Sequence, residues 1–333
     1  MKVLVTGGAG YIGSHAVRAL RAGGHEPLVF DNLSRGHREA VLDAPLVEGD
    51  LLSQDAIGQV FESHDIEAVV HFAALAYVGE SVGHPDLYYR NNIVGTMNLL
   101  DAMRRGKVDK LIFSSTCATY GEPVRMPMDE AHPQNPVNPY GRSKLMVEWI
   151  LGDYQAAFGM HFVALRYFNA AGCSLDGRIG EDHEPEMHLI PRVLMSITGE
   201  ISEVTILGTD WDTPDGTCVR DYIHVEDLAE AHVLALDYLS RGGASAAWNL
   251  GTGKGHSVRE VIACAERVSG QKVPVIEGAR RIGDPARLVA AASKVRRELD
   301  WKPRHPDLET IVASAWRWME RGGRYRPNPD FSP

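Results

Sequence analysis

Cysteine is scarce in this chain. Its four cysteines, Cys117, Cys173, Cys218 and Cys264, stand far apart among 333 residues with no C-x-x-C. That spacing indicates neither a zinc site nor a disulfide framework, and no metal ligands are expected. Dense basic runs are also missing: 34 Lys and Arg stand against 44 Asp and Glu, a formal net charge of −10. Nucleic acid and anionic membranes are therefore poor partners. No apolar run reaches the ~18 residues a spanning helix needs. Met1-Lys2-Val3-Leu4-Val5-Thr6 enters a strand directly and lacks the longer apolar core of a secretory leader. A soluble, cytoplasmic protein is expected. Neither internal repeats nor low-complexity tracts interrupt it. With 44% hydrophobic and 23% charged residues, the composition is globular rather than disordered, and the length suits one large or two modest domains.

Short β-branched runs alternate with helical patterns through the first half. Strands are expected at Lys2–Thr6, Pro27–Asp31, Leu46–Asp50, Ala68–Ala74, Lys110–Ser115 and His161–Tyr167, and helices at Tyr11–Ala22, Ser53–His64, Asp86–Arg105 and Ser143–Phe158. Several strands are apolar almost throughout, as in a parallel sheet covered on both faces. The expected class is α/β, a Rossmann-type doubly wound parallel sheet with a smaller α+β domain. Residues 1–169 would form the first domain, joined again by about 222–250, with a helix at Val225–Leu239 and a strand at Ala247–Leu250. The smaller domain would be built within 170–333, mainly from 170–221 and 251–333, with a helix near Ile190–Thr198. The tail from Gly322 to Pro333, rich in Pro, Gly and Arg, is expected to be loosely held.

Thr6-Gly7-Gly8-Ala9-Gly10-Tyr11-Ile12-Gly13 follows the first strand and opens the first helix. It carries G-x-G-x-x-G as Gly8, Gly10 and Gly13, and G-x-x-G-x-x-G as Gly7, Gly10 and Gly13. Glycines here permit a tight turn and a close backbone approach to a pyrophosphate, which meets the positive end of a helix. Asp31 closes the second strand near the usual ~20-residue spacing from the glycines. A carboxylate there accepts bonds from ribose hydroxyls and repels a 2′-phosphate, which favours NAD over NADP. Arg35 and Arg38, close behind it, are expected to lie in a solvated loop.

Tyr140-Gly141-Arg142-Ser143-Lys144 sets a phenol and an ammonium four residues apart, on one face of a helix that begins around Pro139. A phenol is a poor base at neutral pH, and nearby positive charge favours its ionised form. Upstream, KLIFSS runs into Thr116-Cys117-Ala118-Thr119-Tyr120-Gly121. A hydroxyl at such a strand end, Thr116 or Ser115, faces the crevice where ligands bind.

With these residues go VTGGAGYIGSH (Val5–His15), FSSTCATYG (Phe113–Gly121), NPYGRSKLMVE (Asn138–Glu148), LRYFNAAG (Leu165–Gly172), DGTCVRDYIHVEDLA (Asp215–Ala229), NLGTGKG (Asn249–Gly255) and RRIGD (Arg280–Asp284). Together they resemble the extended short-chain dehydrogenase/reductase family, and within it the nucleotide-sugar 4-epimerases, along nearly the whole chain. The resemblance implies an NAD-bound isomerase that inverts C4 of a UDP-sugar, UDP-glucose to UDP-galactose, through a transient 4-ketose, with Tyr140, Lys144 and Thr116 as catalytic residues. It implies NAD contacts from Gly7, Gly10, Tyr11, Ile12, Gly13, Asp31, Asn32, Asp50, Leu51, Phe72, Ala73, Ala74, Asn91, Ser114, Tyr140, Lys144 and Phe168. UDP-sugar contacts would come from Thr116, Tyr140, Asn169, His188, Leu189, Arg220, Arg281, Asp284 and Leu288, the last facing the sugar as a gatekeeper.

His188 departs from the Asn of some members, and Ala76 from a Lys. Cys117 and His71 are expected to pack rather than react, and Trp301, Trp316 and Trp318 to be packing aromatics of the smaller domain. A homodimer through Asp86–Arg105 and Ser143–Phe158 is implied too. A 4,6-dehydratase is disfavoured because Cys117-Ala118 replaces its Asp-Glu pair. A UDP-xylose/UDP-arabinose 4-epimerase and a non-catalytic NAD-binding sensor on the same fold stay open as alternatives.

Overall fold

The computed structural model describes residues 1–281 and 283–325. Ile282 of the RRIGD segment and residues 326–333 of the tail lie outside the described residues. The strands are β1 Lys2–Thr6, β2 Glu26–Asp31, β3 Leu46–Glu48, β4 Ala68–His71, β5 Lys110–Thr116, β6 His161–Tyr167, β7 Asn169–Ala171, β8 Val204–Leu207, β9 Val219–His224, β10 Ala246–Leu250, β11 Gly255–Ser257, β12 Val275–Gly278 and β13 Arg287–Leu288. Seven of them make a parallel sheet in the order β10-β6-β5-β4-β1-β2-β3. The order reverses between β1 and β4, and at that point a crevice opens at the carboxyl ends of the strands.

The continuous apolar runs follow from two covered faces. Val3 and Val5 of β1 enter one core with Val17, Leu20, Leu228, Leu236 and Trp248. Leu4, pointing the other way, enters a second core with Leu99, Met103, Val147 and Leu151. A third core gathers Val193 and Leu194, Val261 and Cys264, and Val312 and Trp318 from helices Leu189–Thr198, Val258–Ser269 and Leu308–Glu320. Near it lie a small sheet in which β9 pairs with β7, β11 and β13, and the parallel pair β8–β12. All four cysteines are buried free thiols.

Several boundaries differ from the sequence reading. β4 stops at His71 rather than Ala74, because the chain there turns over Gly7, where an added Cβ would lie 2.4 Å from the Ala73 nitrogen. β3 stops at Glu48, and Asp50 instead accepts a bond from the Leu52 N–H at 2.8 Å. The helix expected at Asp86–Arg105 is helical along its length but holds a π-turn at Arg90–Val94 between α-helical Pro85–Tyr89 and Gly95–Arg105. The helix carrying Tyr140 does begin at Pro139, as the proline indicated, one turn ahead of the amphipathic segment from Ser143, and Asn138 caps the Gly141 N–H at 2.8 Å.

The small sheet is joined to its surroundings by one carboxylate. Asp221 on β9 is fully buried. Its Oδ1 accepts from the Thr252 N–H (2.9 Å) and hydroxyl (2.7 Å), and its Oδ2 from the N–H groups of Gly253 (3.0 Å) and Ala290 (3.1 Å). Burial raises this carboxyl's pKa, and the four bonds oppose the rise. Gly251 is required beside it, since an added Cβ would lie 2.7 Å from Oδ2. Asp221→Ala would orphan the buried N–H groups of Thr252 and Ala290 at roughly 1–3 kcal/mol each, and free the part-buried N–H of Gly253. The expected loss is about 3 kcal/mol or more, read as a lowered urea midpoint at unchanged slope. An unmoved midpoint would rule out this tether.

Candidate active site

The glycine turn is closed to side chains. Gly7 has φ +73°, and an added Cβ on Gly13 would sit 2.1 Å from the Gly7 carbonyl oxygen. Helix Tyr11–Ala22 starts at Gly10 with no capping side chain and no acidic residue in its first turn. The first N–H groups, Tyr11, Ile12 and Gly13 among them, thus face outward with the helix dipole behind them. Asp31, at the end of β2, accepts from the Ala9 N–H and the Leu33 N–H, each at 2.9 Å, through different oxygens. Each oxygen keeps a further lone pair. Burial raises this carboxyl, opposed by those two bonds.

Asn32 donates to Asp50 at 2.9 Å, and Leu51 is buried below them with its carbonyl accepting from Asn98 at 2.8 Å. Ala73 and Ala74 follow β4 over the turn, and the Phe72 ring lies 4.7 Å from that of His232. Arg35 and Arg38 are engaged on the surface, Arg35 with Glu80 and over the Tyr77 ring, Arg38 with Glu48.

Tyr140 is half-buried in the first turn of helix Pro139–Phe158. Its carbonyl accepts from the Ser143 hydroxyl at 2.7 Å, and that hydroxyl accepts from Asn92 in the π-turn at 3.0 Å. Asn92 also clasps the Leu75 backbone, at 2.8 Å through its oxygen and 3.0 Å through its nitrogen. Asn91, beside it, donates to the Asn92 side chain at 3.0 Å. Sequence reasoning missed Asn92 and Ser143. The π-turn leaves no trace in apolar periodicity, so no pattern marked them.

Burial, and next the Tyr167 phenol, hold the Tyr140 phenol well above its usual pKa, while the Thr116 hydroxyl acts in the opposite sense. Thr116 ends β5, almost buried, and caps the Ala118 N–H at 3.1 Å. Lys144 departs from the expected arrangement. Its ammonium donates to the Ser114 carbonyl at 2.8 Å and lies 5.0 Å over the Phe113 ring, so among the described residues no hydrogen bond joins it to Tyr140. Burial lowers its pKa to about 7. The Ser114 hydroxyl meets Tyr167. Burial pushes the Cys117 thiol up to about 12, which leaves it inert packing. His71 bridges Thr6 (2.6 Å) and Thr96 (2.8 Å), and burial lowers it to about 3, a neutral structural ring.

Facing this end of the sheet, Arg281 makes a two-pronged pair with Asp284 (2.8 and 3.0 Å), and Arg220 reaches the same carboxylate at 3.9 Å. Leu288 on β13 pairs in register with Arg220 on β9 and packs with Phe168, Cys117, Tyr120 and Met128. Asn169 donates to the Asp221 carbonyl at 3.1 Å. These residues thus come together near Thr116. His188 is held elsewhere: it precedes Leu189 at the start of helix Leu189–Thr198, and its Nδ1 lies 2.7 Å from Glu181 and 2.8 Å from Glu186.

Comparison with known proteins agrees along the chain. Residues 3–251 match the model of the NAD dependent epimerase/dehydratase family. A UDP-glucose 4-epimerase from Halalkalibacterium halodurans is 50% identical over 318 residues, which cover 96% of this chain and 95% of that protein. The crystal structure of UDP-glucose 4-epimerase from Brucella ovis in complex with NAD superposes with a TM-score of 0.93 at 51% identity, over 95% of this chain and 97% of the other. The enzyme from Bifidobacterium longum in complex with NAD+ and UDP gives 0.92 at 39% identity, over 97% and 99%. Similarity that runs through the glycine turn, the strand-end hydroxyl and the Tyr-x-x-x-Lys helix alike has one reading: the chain belongs to the NAD dependent epimerase/dehydratase family.

Proposed function

We propose that the protein inverts the C4 hydroxyl of a UDP-sugar, interconverting UDP-glucose and UDP-galactose with NAD as its resident cofactor. The observation that carries this reading is the meeting of Thr116 and Tyr140 at the carboxyl end of β5, in a chain half identical to UDP-glucose 4-epimerases over almost its full length.

The residues present fit NAD. The side-chain-free turn and uncapped helix of Gly7–Gly13 suit a pyrophosphate, and the free lone pairs of Asp31 suit ribose hydroxyls and disfavour a 2′-phosphate. When bound, NAD supplies a reversible hydride acceptor and a positive ring. Asn32, Asp50, Leu51, Phe72, Ala73, Ala74, Asn91, Ser114, Lys144 and Phe168 would hold the rest of it.

Tyr140 Oη takes the proton of the C4 hydroxyl and returns it, and Thr116 Oγ1 holds the same sugar oxygen. Lys144 gives positive charge one helical turn away, and its anchor on Ser114 keeps that charge below the crevice. Arg220 and Arg281, drawn together by Asp284, are set for the diphosphate, since guanidinium forks suit phosphate oxygens. Asn169, Leu189 and Leu288 border the sugar and uridine. In this reading residues 1–169 with about 222–250 carry the cofactor, and 170–221 with 251–333 carry the UDP-sugar.

A homodimer through the two long helices is part of the proposal. Leu87, Val94 and Met97 are exposed on one, and Trp149 and Phe158 on the other. The helices lie side by side, joined by Tyr154 to Asp101 at 3.2 Å. Large apolar side chains left exposed on two neighbouring helices favour a second copy.

The test is a panel of UDP-sugars followed for C4 inversion without added dinucleotide. UDP-glucose and UDP-galactose should dominate, with weak turnover of N-acetyl sugars, because a partial steric block discriminates by only about 1–3 kcal/mol. Leu288→Gly should raise N-acetyl turnover more than UDP-glucose turnover; equal effects would remove Leu288 from the sugar pocket. Tyr140→Phe should lower turnover by ~10²–10⁴ while calorimetry shows UDP bound as before, and wild-type turnover would refute the proton role.

Lys144 makes a pH prediction. Its folded-state pKa is near 7 and its unfolded one near ~10.4, so between these values the unfolded chain binds more protons and stability rises with pH. The burial penalty is full below pH ~7 and is lost toward pH ~10. Lys144→Met should therefore melt higher than wild type near neutrality, with the gap closing as pH rises. A constant gap would show that the charge is not desolvated.

A further inference from the structure

Glu181-x-His183-x-x-Glu186-x-His188 lies just before helix Leu189–Thr198. The fold gathers all four side chains into one knot, with a ligating atom from each within 4.8 Å of the others. The carboxylates are almost fully buried, at 6% and 4% side-chain exposure. His188 Nδ1 lies 2.7 Å from Glu181 Oε1 and 2.8 Å from Glu186 Oε1, and His183 Nδ1 lies 3.2 Å from Glu181 Oε1 and 3.4 Å from Glu186 Oε2.

We propose that Glu181, His183, Glu186 and His188 form a binding site for one zinc-class divalent metal ion. Three observations carry this. First, an ion bound tetrahedrally at about 2.0–2.1 Å sets its ligands roughly 3.3 Å apart, and the four His-to-Glu donor distances run from 2.7 to 3.4 Å. Second, His183 Nδ1 is buried and aimed between the two carboxylates, yet it makes no hydrogen bond of acceptable geometry. That nitrogen, 3.2 and 3.4 Å from the two carboxylates, is one that an ion seated between them would engage. Third, a divalent ion that takes the place of the two imidazole protons facing the carboxylates would keep the charge of the knot at zero, which suits a buried site.

The two nitrogens favour zinc and its neighbours over magnesium or calcium, which prefer oxygen alone. Outer bonds hold the knot. The Glu181 carbonyl accepts from Trp318 Nε1 at 3.0 Å, the Glu186 carboxylate from the His188 N–H at 2.7 Å, and the Glu186 carbonyl from Arg192 at 3.2 Å. His188 is half exposed, which leaves the ion a way in. The Tyr77 hydroxyl, buried and unpartnered, belongs to a ring 6.0 Å from the ring of His183. The ion would fasten residues 181–188 to the start of helix Leu189–Thr198. This assignment does not depend on the reaction proposed above.

The full-length protein, stripped with a chelator and dialysed, is titrated calorimetrically with ZnCl2. One ion per chain is expected, with a higher Tm, and CoCl2 should give the intense visible absorption of a four-coordinate site. Glu186→Gln and His183→Asn should each weaken zinc binding at least about tenfold and abolish the Tm rise. Glu186→Gln keeps the side-chain shape, so it guards against a His183→Asn variant that fails to fold. Folded wild type with no saturable zinc uptake would overturn the proposal and leave an imidazolium–carboxylate knot alone. Zinc uptake unchanged in both variants would overturn it equally, by locating the ion elsewhere.

Discussion

The candidate site depends on a single buried carboxylate without a cation. Asp221 collects four hydrogen bonds from two stretches of chain, Thr252–Gly253 and Ala290, that are far from it and from each other in sequence. Its neighbour Arg220 and its in-register partner Leu288 are two of the groups proposed to meet the UDP-sugar. The Asp221 carbonyl also holds Asn169. A buried anion is tolerated only when its lone pairs are filled, so its geometry fixes Thr252, Gly253 and Ala290 as a set. Losing the anion would therefore disturb the positions of Asn169, Arg220 and Leu288 together.

At the reacting centre, desolvation pulls acid and base in opposite directions. Burial raises the Tyr140 phenol and lowers the Lys144 ammonium, so both are pushed toward their neutral forms. Neutral tyrosine beside a lysine that is only partly charged near neutrality is a poor proton acceptor. The site becomes a base only when positive charge enters the crevice, which couples proton removal to an occupied cofactor site. The Thr116 hydroxyl is the part of this compensation built into the chain itself. Ground-state charge is thus withheld until the reaction can use it.

Legibility in the sequence followed the range of the interactions. The glycine turn, Asp31 and the Tyr140–Lys144 spacing are local, and the seven-stranded sheet showed in its doubly apolar strands. The small sheets were not legible, since strands of two to four residues such as β7, β11 and β13 carry no period. The π-turn and Asn92 left no apolar signature. The direction of Lys144 is set by the Ser114 carbonyl on a different element, which the i,i+4 spacing to Tyr140 does not reveal. The Glu181–His188 knot did have a local signal, three Glu and two His in eight residues, which a search confined to cysteines passed over.

Tyr140 is held from two directions, and energy alone does not explain the second. Asn92 and Ser143 fix the first turn of its helix. About two turns along, Glu148 is buried with Arg166 of β6, at 8% and 7% side-chain exposure. Arg166 passes a bond to Tyr120 at 3.0 Å, and Tyr120 to Asn249 of β10 at 2.6 Å. Glu148 also accepts from Ser115, next to Thr116. A buried ion pair of this kind adds little net stability over an apolar pair of similar volume. Its directional bonds do what an apolar contact cannot: they set the rotation of helix Pro139–Phe158 against the end of β5. That rotation determines whether Tyr140 and Thr116 share one sugar oxygen. The polar network under the sheet is best understood as the means by which acid and hydroxyl, carried on separate elements, are kept in mutual register.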